Sequence, residues 1–297
     1  MKFKFTALLC AALLFLSGCA VSSGAQDNNA HIVATSYPVY IFAMNVLEGS
    51  EGLELELLVD QQISCIHDYT LSVNDMMRLE DADLLLMSGA GLEEFLEGAL
   101  KSYPDLPTAD CSAGVELLTL EDGEPDPHIW LDPRNAITMT ENLTAALVSM
   151  YPDQAELFQE NCSAYTEKLA RLYDDLYGEI SGLRPEIITF HDGFAYFARA
   201  FGITILHSIE EEAGSEASAA EINEIIGTID SHPLAVIFTE TNGSDSTARA
   251  IASETGVSMG VLSTAVSGEK TASGYEDILR DDVDSVITTI ASQTLKS

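Results

Sequence analysis

Three histidines in this sequence have the neighbours expected of metal ligands. They occur in the segments Cys65-Ile66-His67-Asp68-Tyr69, Asp126-Pro127-His128-Ile129 and Phe190-His191-Asp192-Gly193. Each lies one or two residues from an aspartate, and a metal-bound imidazole commonly donates its second N–H to such a carboxylate. Neutral imidazoles are ligands that zinc accepts readily. Since the three residues are 61 and 63 positions apart, they can share one site only if the fold brings them together.

The three histidines fall at junctions between predicted elements. Short apolar runs that predict strands cover residues 31–36, 53–59, 84–87, 187–190, 235–239 and 258–262. Helical patterns lie between them, for example at 72–79 and 218–229, and Ser72 and Asp132-Pro133 are typical helix start signals. This alternation predicts α/β layers with parallel sheets. In such sheets, ligands bind beyond the carboxyl ends of the strands.

One much longer helix is predicted in the middle of the chain. Seven apolar residues recur there at spacings of three and four, which is the pattern of one buried helical face: Phe158, Cys162, Tyr165, Leu169, Leu172, Leu176 and Ile180. About 28 residues at ~1.5 Å each would span roughly 40 Å, the width of a domain. We therefore expect an N-terminal α/β lobe at 31–150, a connecting helix at 151–183 and a C-terminal α/β lobe at 184–297.

The first 30 residues have the pattern of a targeting segment and a tether. Lys2 and Lys4 precede an apolar run at 5–16 that is too short to span a bilayer. The following Leu16-Ser17-Gly18-Cys19 resembles the lipobox of bacterial lipoproteins. We expect a signal peptide at 1–18, lipid attachment at Cys19 and a flexible tether at 19–30. The protein is then extracytoplasmic and anchored to the cell membrane, and no later apolar run predicts a membrane-spanning helix.

The net charge bears on the kind of partner, and the cysteine content bears on possible disulfides. The 48 acidic and 13 basic residues give a formal net charge of −35, which repels nucleic acid and attracts cations. Three cysteines, Cys65, Cys111 and Cys162, remain after the signal cysteine Cys10 and the lipidated Cys19. They allow one disulfide whose pairing the sequence leaves open. Because the compartment is oxidising, we expect Cys65 in a disulfide rather than on a metal.

A series of segments in one order resembles the metal-binding lipoproteins of bacterial ABC importers for zinc and manganese. The resemblance runs from about His31 to the C-terminus. It rests on Ala34-Thr35-Ser36-Tyr37-Pro38, His67-Asp68-Tyr69-Thr70-Leu71-Ser72, Leu79-Glu80-Asp81-Ala82-Asp83-Leu84, Gly89-Ala90-Gly91-Leu92-Glu93-Glu94-Phe95-Leu96, Asp126-Pro127-His128-Ile129-Trp130-Leu131-Asp132-Pro133, Phe190-His191-Asp192-Gly193-Phe194-Ala195-Tyr196-Phe197 and Phe238-Thr239-Glu240.

The resemblance implies two α/β lobes bridged by a long helix, with a metal ion held between the lobes. It places the ligands on His67, His128 and His191, and the histidine at the third position is similar to the zinc branch, since the manganese branch has glutamate there. Zn²⁺ is therefore the expected metal and Mn²⁺ the alternative. The implied protein is a monomer and not an enzyme, and its partners are a membrane permease and the ATPase of that permease.

Two departures from the family pattern concern the metal site. Ser263 stands after the last predicted strand, where the family usually has an aspartate ligand. Either a water molecule completes the ligand shell or another carboxylate does, and Glu240 is the nearest candidate. The loop at 120–125 before the second histidine is short and acidic, whereas many zinc-branch members have a long histidine-rich loop there. The remaining histidines, His31, His207 and His232, are expected at the surface or in packing.

Two alternative functions stay open at this point. A secreted zinc hydrolase would also use three histidines and an open fourth position, with Glu240 as the general base. A surface lipoprotein that has lost transport function would account for the missing aspartate.

Overall fold

The structure, a computed structural model, describes residues 29–61, 66, 69–120, 123–209 and 218–296. The predicted signal segment, Cys19 and the tether up to residue 28 lie outside these ranges, as do Cys65, His67 and Asp68. The described residues contain eight strands and nine α-helices.

The first lobe is built on a parallel four-stranded sheet. Its strands are β1 (Ala30–Ala34), β2 (Leu53–Leu57), β3 (Leu84–Met87) and β4 (Thr108–Asp110), in the order β2-β1-β3-β4. Its helices are α1 (Tyr37–Val46), α2 (Val73–Asp81), α3 (Glu97–Leu100) and α4 (Pro133–Met150).

The two predicted helix starts in this lobe are confirmed. The Ser72 hydroxyl accepts a hydrogen bond from the Asp75 backbone N–H at 3.2 Å, and the Asp75 carboxylate accepts one from the Ser72 N–H at 2.7 Å. Asp132 caps α4 by accepting from the Arg134 N–H at 2.9 Å, and Pro133 follows as the first helical residue. Both arrangements satisfy N–H groups that have no partner within their own helix.

The second lobe repeats the topology of the first. The strands β5 (Glu186–Thr189), β6 (Thr204–Ser208), β7 (Val236–Glu240) and β8 (Met259–Leu262) are parallel, in the order β6-β5-β7-β8. The helices are α6 (Ala195–Phe201), α7 (Ala219–Ser231), α8 (Ser246–Thr255) and α9 (Gly274–Thr294). In each sheet the strand order reverses between the first and third strands, and ligands of α/β sheets bind in the crevice at such a point.

The predicted connecting helix is present as α5 (Ala155–Ile180). The seven apolar residues of the predicted stripe are the buried residues of this helix. It packs on α1 and α4 of the first lobe and on α6 and α9 of the second. This confirms the predicted fold class of two α/β lobes bridged by one long helix.

The two lobes are also joined directly, and one continuous hydrophobic core includes residues of both. The indole N–H of Trp130 donates to the Thr264 carbonyl at 2.8 Å, and the Tyr275 hydroxyl donates to the Trp130 carbonyl at 2.6 Å. At the surface, the Lys270 ammonium contacts the Asp60 carboxylate at 2.7 Å. Opening the cleft between the lobes would break these contacts, so large lobe rotations are disfavoured.

The buried Tyr275 hydroxyl gives a test of this lobe contact. Tyr275→Phe leaves the buried Trp130 carbonyl without this donor, so we expect it to lower the free energy of unfolding by about 1–3 kcal/mol. Urea unfolding of the metal-free protein measures the effect. Tyr177→Phe, at a tyrosine that is 43% exposed on α5, is the matched control. Equal stability of the two variants would contradict the role given to Tyr275.

A buried carboxylate closes the carboxyl edge of the first sheet, where its strand order reverses. Glu93 is 5% exposed and accepts hydrogen bonds from the Thr35 hydroxyl at 2.7 Å and from the Ser88 and Gly89 N–H groups at 2.6 and 3.0 Å. Thr35 follows β1 and Ser88 follows β3, so this side chain ties the ends of two neighbouring strands together. Desolvation on burial raises the pKa of Glu93 to about 7, against the opposing effect of these hydrogen bonds.

The expected disulfide is not found among the described cysteines. Cys111 and Cys162 are both buried free thiols, which contradicts a bridge from Cys65 to either of them. Burial raises the pKa of both thiols, so neither is a reactive thiolate at neutral pH.

Among the described helices, none is both long and apolar enough to cross a membrane.

Candidate metal centre

His128 is held in one orientation by its own loop. It precedes a short 3₁₀ turn (Ile129–Leu131) that leads into α4, and it is 3% exposed. The Asp126 carboxylate lies 2.9 Å from the His128 Nδ1 atom and also accepts from the His128 backbone N–H at 2.9 Å. With the proton on Nδ1 shared with this carboxylate, Nε2 carries the lone pair that a metal ion needs. The predicted pairing of this histidine with a neighbouring aspartate is therefore present.

His191 meets His128 at the edge of the second sheet. It follows β5 by two residues and precedes the 3₁₀ turn Asp192–Phe194. The Nε2 atoms of the two histidines are 3.4 Å apart, and their rings are perpendicular with centroids 5.1 Å apart. The carboxylate of Asp192 is 3.9 Å from His191 Nδ1, which is too far for a hydrogen bond. The hydrogen bond to a neighbouring aspartate that His128 forms is therefore not formed between His191 and Asp192.

Gly193 keeps the space in front of this pair clear. A Cβ atom at position 193 would lie 2.7 Å from His191 Nε2 and 2.8 Å from His128 Nε2. Real Cβ atoms do not approach other atoms so closely, so any larger residue would push the rings aside. Gly193 has no side chain whose chemistry could mark it as part of a site in the sequence. Its position directly after His191-Asp192 is the only signal that the sequence offers.

Glu240 is the buried carboxylate of the second lobe. As the last residue of β7 it stands beside the end of β5, at the point where the strand order reverses, and it is 7% exposed. The Thr264 hydroxyl donates to its Oε1 atom at 2.7 Å. Desolvation raises the pKa of Glu240 to about 7, and the nearby His128 acts in the opposite direction. The carboxylate is therefore within electrostatic reach of His128.

The histidine pair has no complete ligand set in the described part of the chain. Among those residues, no three of histidine, cysteine, aspartate and glutamate lie close enough together to hold one metal ion. Glu240 as placed does not complete the pair, and the third predicted ligand, His67, lies outside the described residues. The assignments of His67 and Glu240 as metal ligands therefore stay predictions.

Ser263, at the position of the expected aspartate, forms its hydrogen bonds within the loop that follows β8 and with α9. Its hydroxyl accepts from the Ala265 N–H at 3.1 Å, and its N–H donates to the Asp282 carboxylate at 2.8 Å. Asp282 is itself buried, which raises its pKa well above the usual range. The side chain of Ser263 is thus engaged in closing the loop that follows β8.

The remaining histidines lie at other places in the fold. His31 is in β1, and its N–H donates to the Asp83 carboxylate. His207 is in β6, and His232 ends α7 with its Nδ1 atom 3.0 Å from the Glu186 carboxylate. Glu186 begins β5, so this contact is at the opposite end of that strand from His191.

The spacing of the pair fits one tetrahedral metal ion. Zinc–nitrogen bonds of about 2.0–2.1 Å at tetrahedral angles place two ligand atoms roughly 3.3–3.4 Å apart. The two Nε2 atoms are separated by 3.4 Å. Fold and site together define a two-lobed binding protein with an imidazole site at the inter-lobe crevice.

Comparison with known proteins agrees with this class. Residues 32–289 match the model of the family described as zinc-uptake complex component A, periplasmic, and the chain belongs to this family. It is a metal-binding solute-binding protein of the type that serves ABC importers. The family resemblance expected from the sequence motifs is confirmed.

Individual relatives differ in the metal that their names give. The chain is 28% identical to the iron-binding protein YfeA of Yersinia pestis, over 82% of this chain and 83% of the relative. It is 28% identical to the high-affinity zinc uptake system protein ZnuA of Bacillus subtilis, over 94% and 95% of the two chains. The crystal structure of Zn(II)-bound AdcA from Streptococcus pneumoniae superposes with a TM-score of 0.76 at 27% identity, covering 88% of this chain and 58% of AdcA.

Proposed function

We propose that this protein captures Zn²⁺ in the crevice between its lobes and delivers it to a membrane ABC importer. The observation that carries the proposal is the 3.4 Å separation of the two imidazole Nε2 atoms, which fits neighbouring ligands of a tetrahedral zinc ion. His67 supplies the third imidazole and the Glu240 carboxylate the fourth position. A site of three neutral imidazoles and one carboxylate favours zinc over manganese, which prefers oxygen ligands.

The surroundings of the pair suit a cation that must be bound and then released. The formal charge of −35 raises the local concentration of cations at the protein surface. Asp126 orients His128 before any metal arrives, so little reorganisation is needed on binding. Because many contacts join the lobes, release requires only local shifts of the ligand loops once the protein docks on its permease.

The proposed partners and location follow from the same class of protein. The protein is anchored by lipid on Cys19 outside the cytoplasm and acts as a monomer. It passes the metal ion to a permease that is driven by its ATPase. The competing hydrolase assignment has no support from the family match, which covers nearly the whole described chain and belongs to an uptake system.

The metal that the protein carries and the geometry of its site test the proposal. Protein purified without tag or chelator should contain one equivalent of zinc by elemental analysis. Co²⁺ bound in place of zinc should show the intense visible absorption of tetrahedral coordination, because the ligand set imposes four-coordination. Stoichiometric manganese or iron in the purified protein, together with the weak absorption of six-coordinate Co²⁺, would overturn the assignment of zinc.

A further inference from the structure

The hydroxyl of Tyr196 joins the two loops that carry His128 and His191. Tyr196 lies in α6 of the second lobe, whose first residue comes four positions after His191. Its hydroxyl accepts from the Leu118 backbone N–H at 2.8 Å and donates to the Asp126 carbonyl at 3.2 Å. Leu118 and Asp126 belong to the first lobe, so a buried side chain of the second lobe holds the segment that leads to His128.

This hydroxyl takes the place of a backbone hydrogen bond. Leu118 and Asp126 face each other as in an antiparallel pair, since the Asp126 N–H donates to the Leu118 carbonyl at 2.9 Å and Thr119 is bridged to Pro125. In a regular pair of this kind, the Leu118 N–H would donate directly to the Asp126 carbonyl. The Tyr196 hydroxyl instead stands between these two groups and holds the two backbone segments apart.

The position of Asp126 in turn fixes the direction of the His128 ring. Its carboxylate accepts from the His128 backbone N–H and lies 2.9 Å from the ring Nδ1 atom, and both residues are buried. A shift of the Asp126 backbone would therefore redirect His128 Nε2. The 3.4 Å separation of that atom from His191 Nε2, which fits one tetrahedral ion, would change with it.

The ring of Tyr196 is itself firmly placed. It is fully buried in the hydrophobic core that includes residues of both lobes. The Arg199 guanidinium, three residues further along α6, lies 5.0 Å from the ring centroid. The hydroxyl can therefore transmit the position of α6, and with it that of the His191 loop, to Asp126.

We propose that Tyr196 is a positioning residue of the metal site that acts through Asp126 on His128. Its hydroxyl is a spacer that keeps the ligand loop of the first lobe in register with that of the second. Without the hydroxyl, the Leu118 N–H and the Asp126 carbonyl would pair directly and displace the Asp126 carboxylate. Groups that orient a metal ligand commonly affect affinity although they do not touch the ion. This inference rests on the proposed zinc-binding function.

The zinc affinity of Tyr196→Phe tests the inference, because this variant loses the hydroxyl and keeps the buried ring. Affinity is measured at one pH by competition with a chromophoric chelator. Tyr196→Phe should bind zinc about 10-fold more weakly, the lower end of the loss typical for an outer partner of a metal ligand. The matched control is Tyr165→Phe, which removes another buried tyrosine hydroxyl, one that donates to Glu276. The control should keep zinc affinity within about 2-fold, since it shares no partner with the site.

A double-mutant cycle shows through which ligand Tyr196 acts. In the His128→Ala background, Tyr196→Phe should change the residual zinc affinity less than about 2-fold, because the ring that it positions is gone. In the His191→Ala background, the loss of about 10-fold should persist, because the path through Asp126 is intact.

Co²⁺ absorption adds a readout that a loss of stability alone would not move. The visible absorption of bound Co²⁺ should shift in Tyr196→Phe and not in Tyr165→Phe, since the direction of the His128 nitrogen affects the ligand field. Unchanged affinity or unchanged Co²⁺ absorption in Tyr196→Phe, an equal loss of affinity in Tyr165→Phe, or an equal loss in the His128→Ala background would overturn the inference.

The same assay distinguishes this inference from the function on which it rests. If His128→Ala and His191→Ala lose zinc affinity while Tyr196→Phe does not, only the positioning role fails. If the two histidine variants bind zinc like wild type, the proposed site itself is wrong.

Discussion

Replacing His128 or His191 by alanine is expected to weaken zinc binding more than the roughly 10–100-fold that is typical for loss of an outer partner. Each substitution removes one of the two nitrogen atoms that lie 3.4 Å apart and fit a single tetrahedral ion. His67→Ala should have an effect of the same size if the third ligand is correctly assigned. Competition titration or calorimetry with zinc measures all three variants.

The chain provides matched controls for this series. His207→Ala and His232→Ala remove imidazoles from the same lobe as His191, at β6 and at the far end of β5. They should leave zinc affinity close to that of wild type. Near-native affinity in two of the three ligand variants would show that the metal is bound elsewhere.

The sequence predicted the strongly patterned elements and missed two weakly patterned ones. The stripe on α5 and the caps of α2 and α4 were predicted because helix periodicity and cap residues are local signals. β4 and β6 were missed, since both are edge strands without a buried apolar run. The two sheets have the same strand order, yet the sequences of the two lobes show no repeat. The same backbone path can be formed by different side chains.

For the candidate site, local chemistry was predicted better than long-range contacts. That His128 and His191 converge could be expected because both lie in loops at predicted strand or helix junctions, and the structure brings them together. The orienting carboxylate was correctly expected for His128 and wrongly for His191, since proximity in sequence does not fix the direction of a side chain. The contact of Thr264 with Glu240 joins residues that are 24 positions apart near the ends of neighbouring strands, and no sequence pattern predicts it.

The reversal points of the two sheets each hold one buried carboxylate, with different partners. Glu240 lies within electrostatic reach of His128, which opposes the rise in the pKa of Glu240. Glu93 accepts only hydroxyl and backbone donors, and no lysine or arginine among the described residues pairs with it. Ionised Glu93 therefore has no cation to offset the cost of burying its charge. Because of this cost, the free energy of unfolding should fall as the pH rises and Glu93 ionises.

The metal-free protein is expected to lose stability as the pH rises from 5 to 7.5, and Glu93→Gln should remove part of that loss. Burial raises the pKa of Glu93 from 4.5 to about 7, so the folded state binds more protons than the unfolded state between these values. The stabilising effect of the proton is complete below pH 4.5 and is lost as the pH passes through about 7. Over the interval from pH 5 to 7.5 this one group should account for about 2 kcal/mol.

Urea unfolding of wild type and Glu93→Gln at pH 5 and 7.5, with chelator present, isolates this contribution. Wild type has a formal net charge of −35, and Glu93→Gln, with one acid fewer, has −35 + 1 = −34. Repulsion among the other carboxylates therefore weakens both proteins similarly as the pH rises, and the difference between their pH slopes reports Glu93. Glu94→Gln removes a carboxylate from the exposed neighbouring position and should keep the wild-type slope. Parallel slopes for wild type and Glu93→Gln would mean that Glu93 ionises in the folded protein as readily as in the unfolded chain.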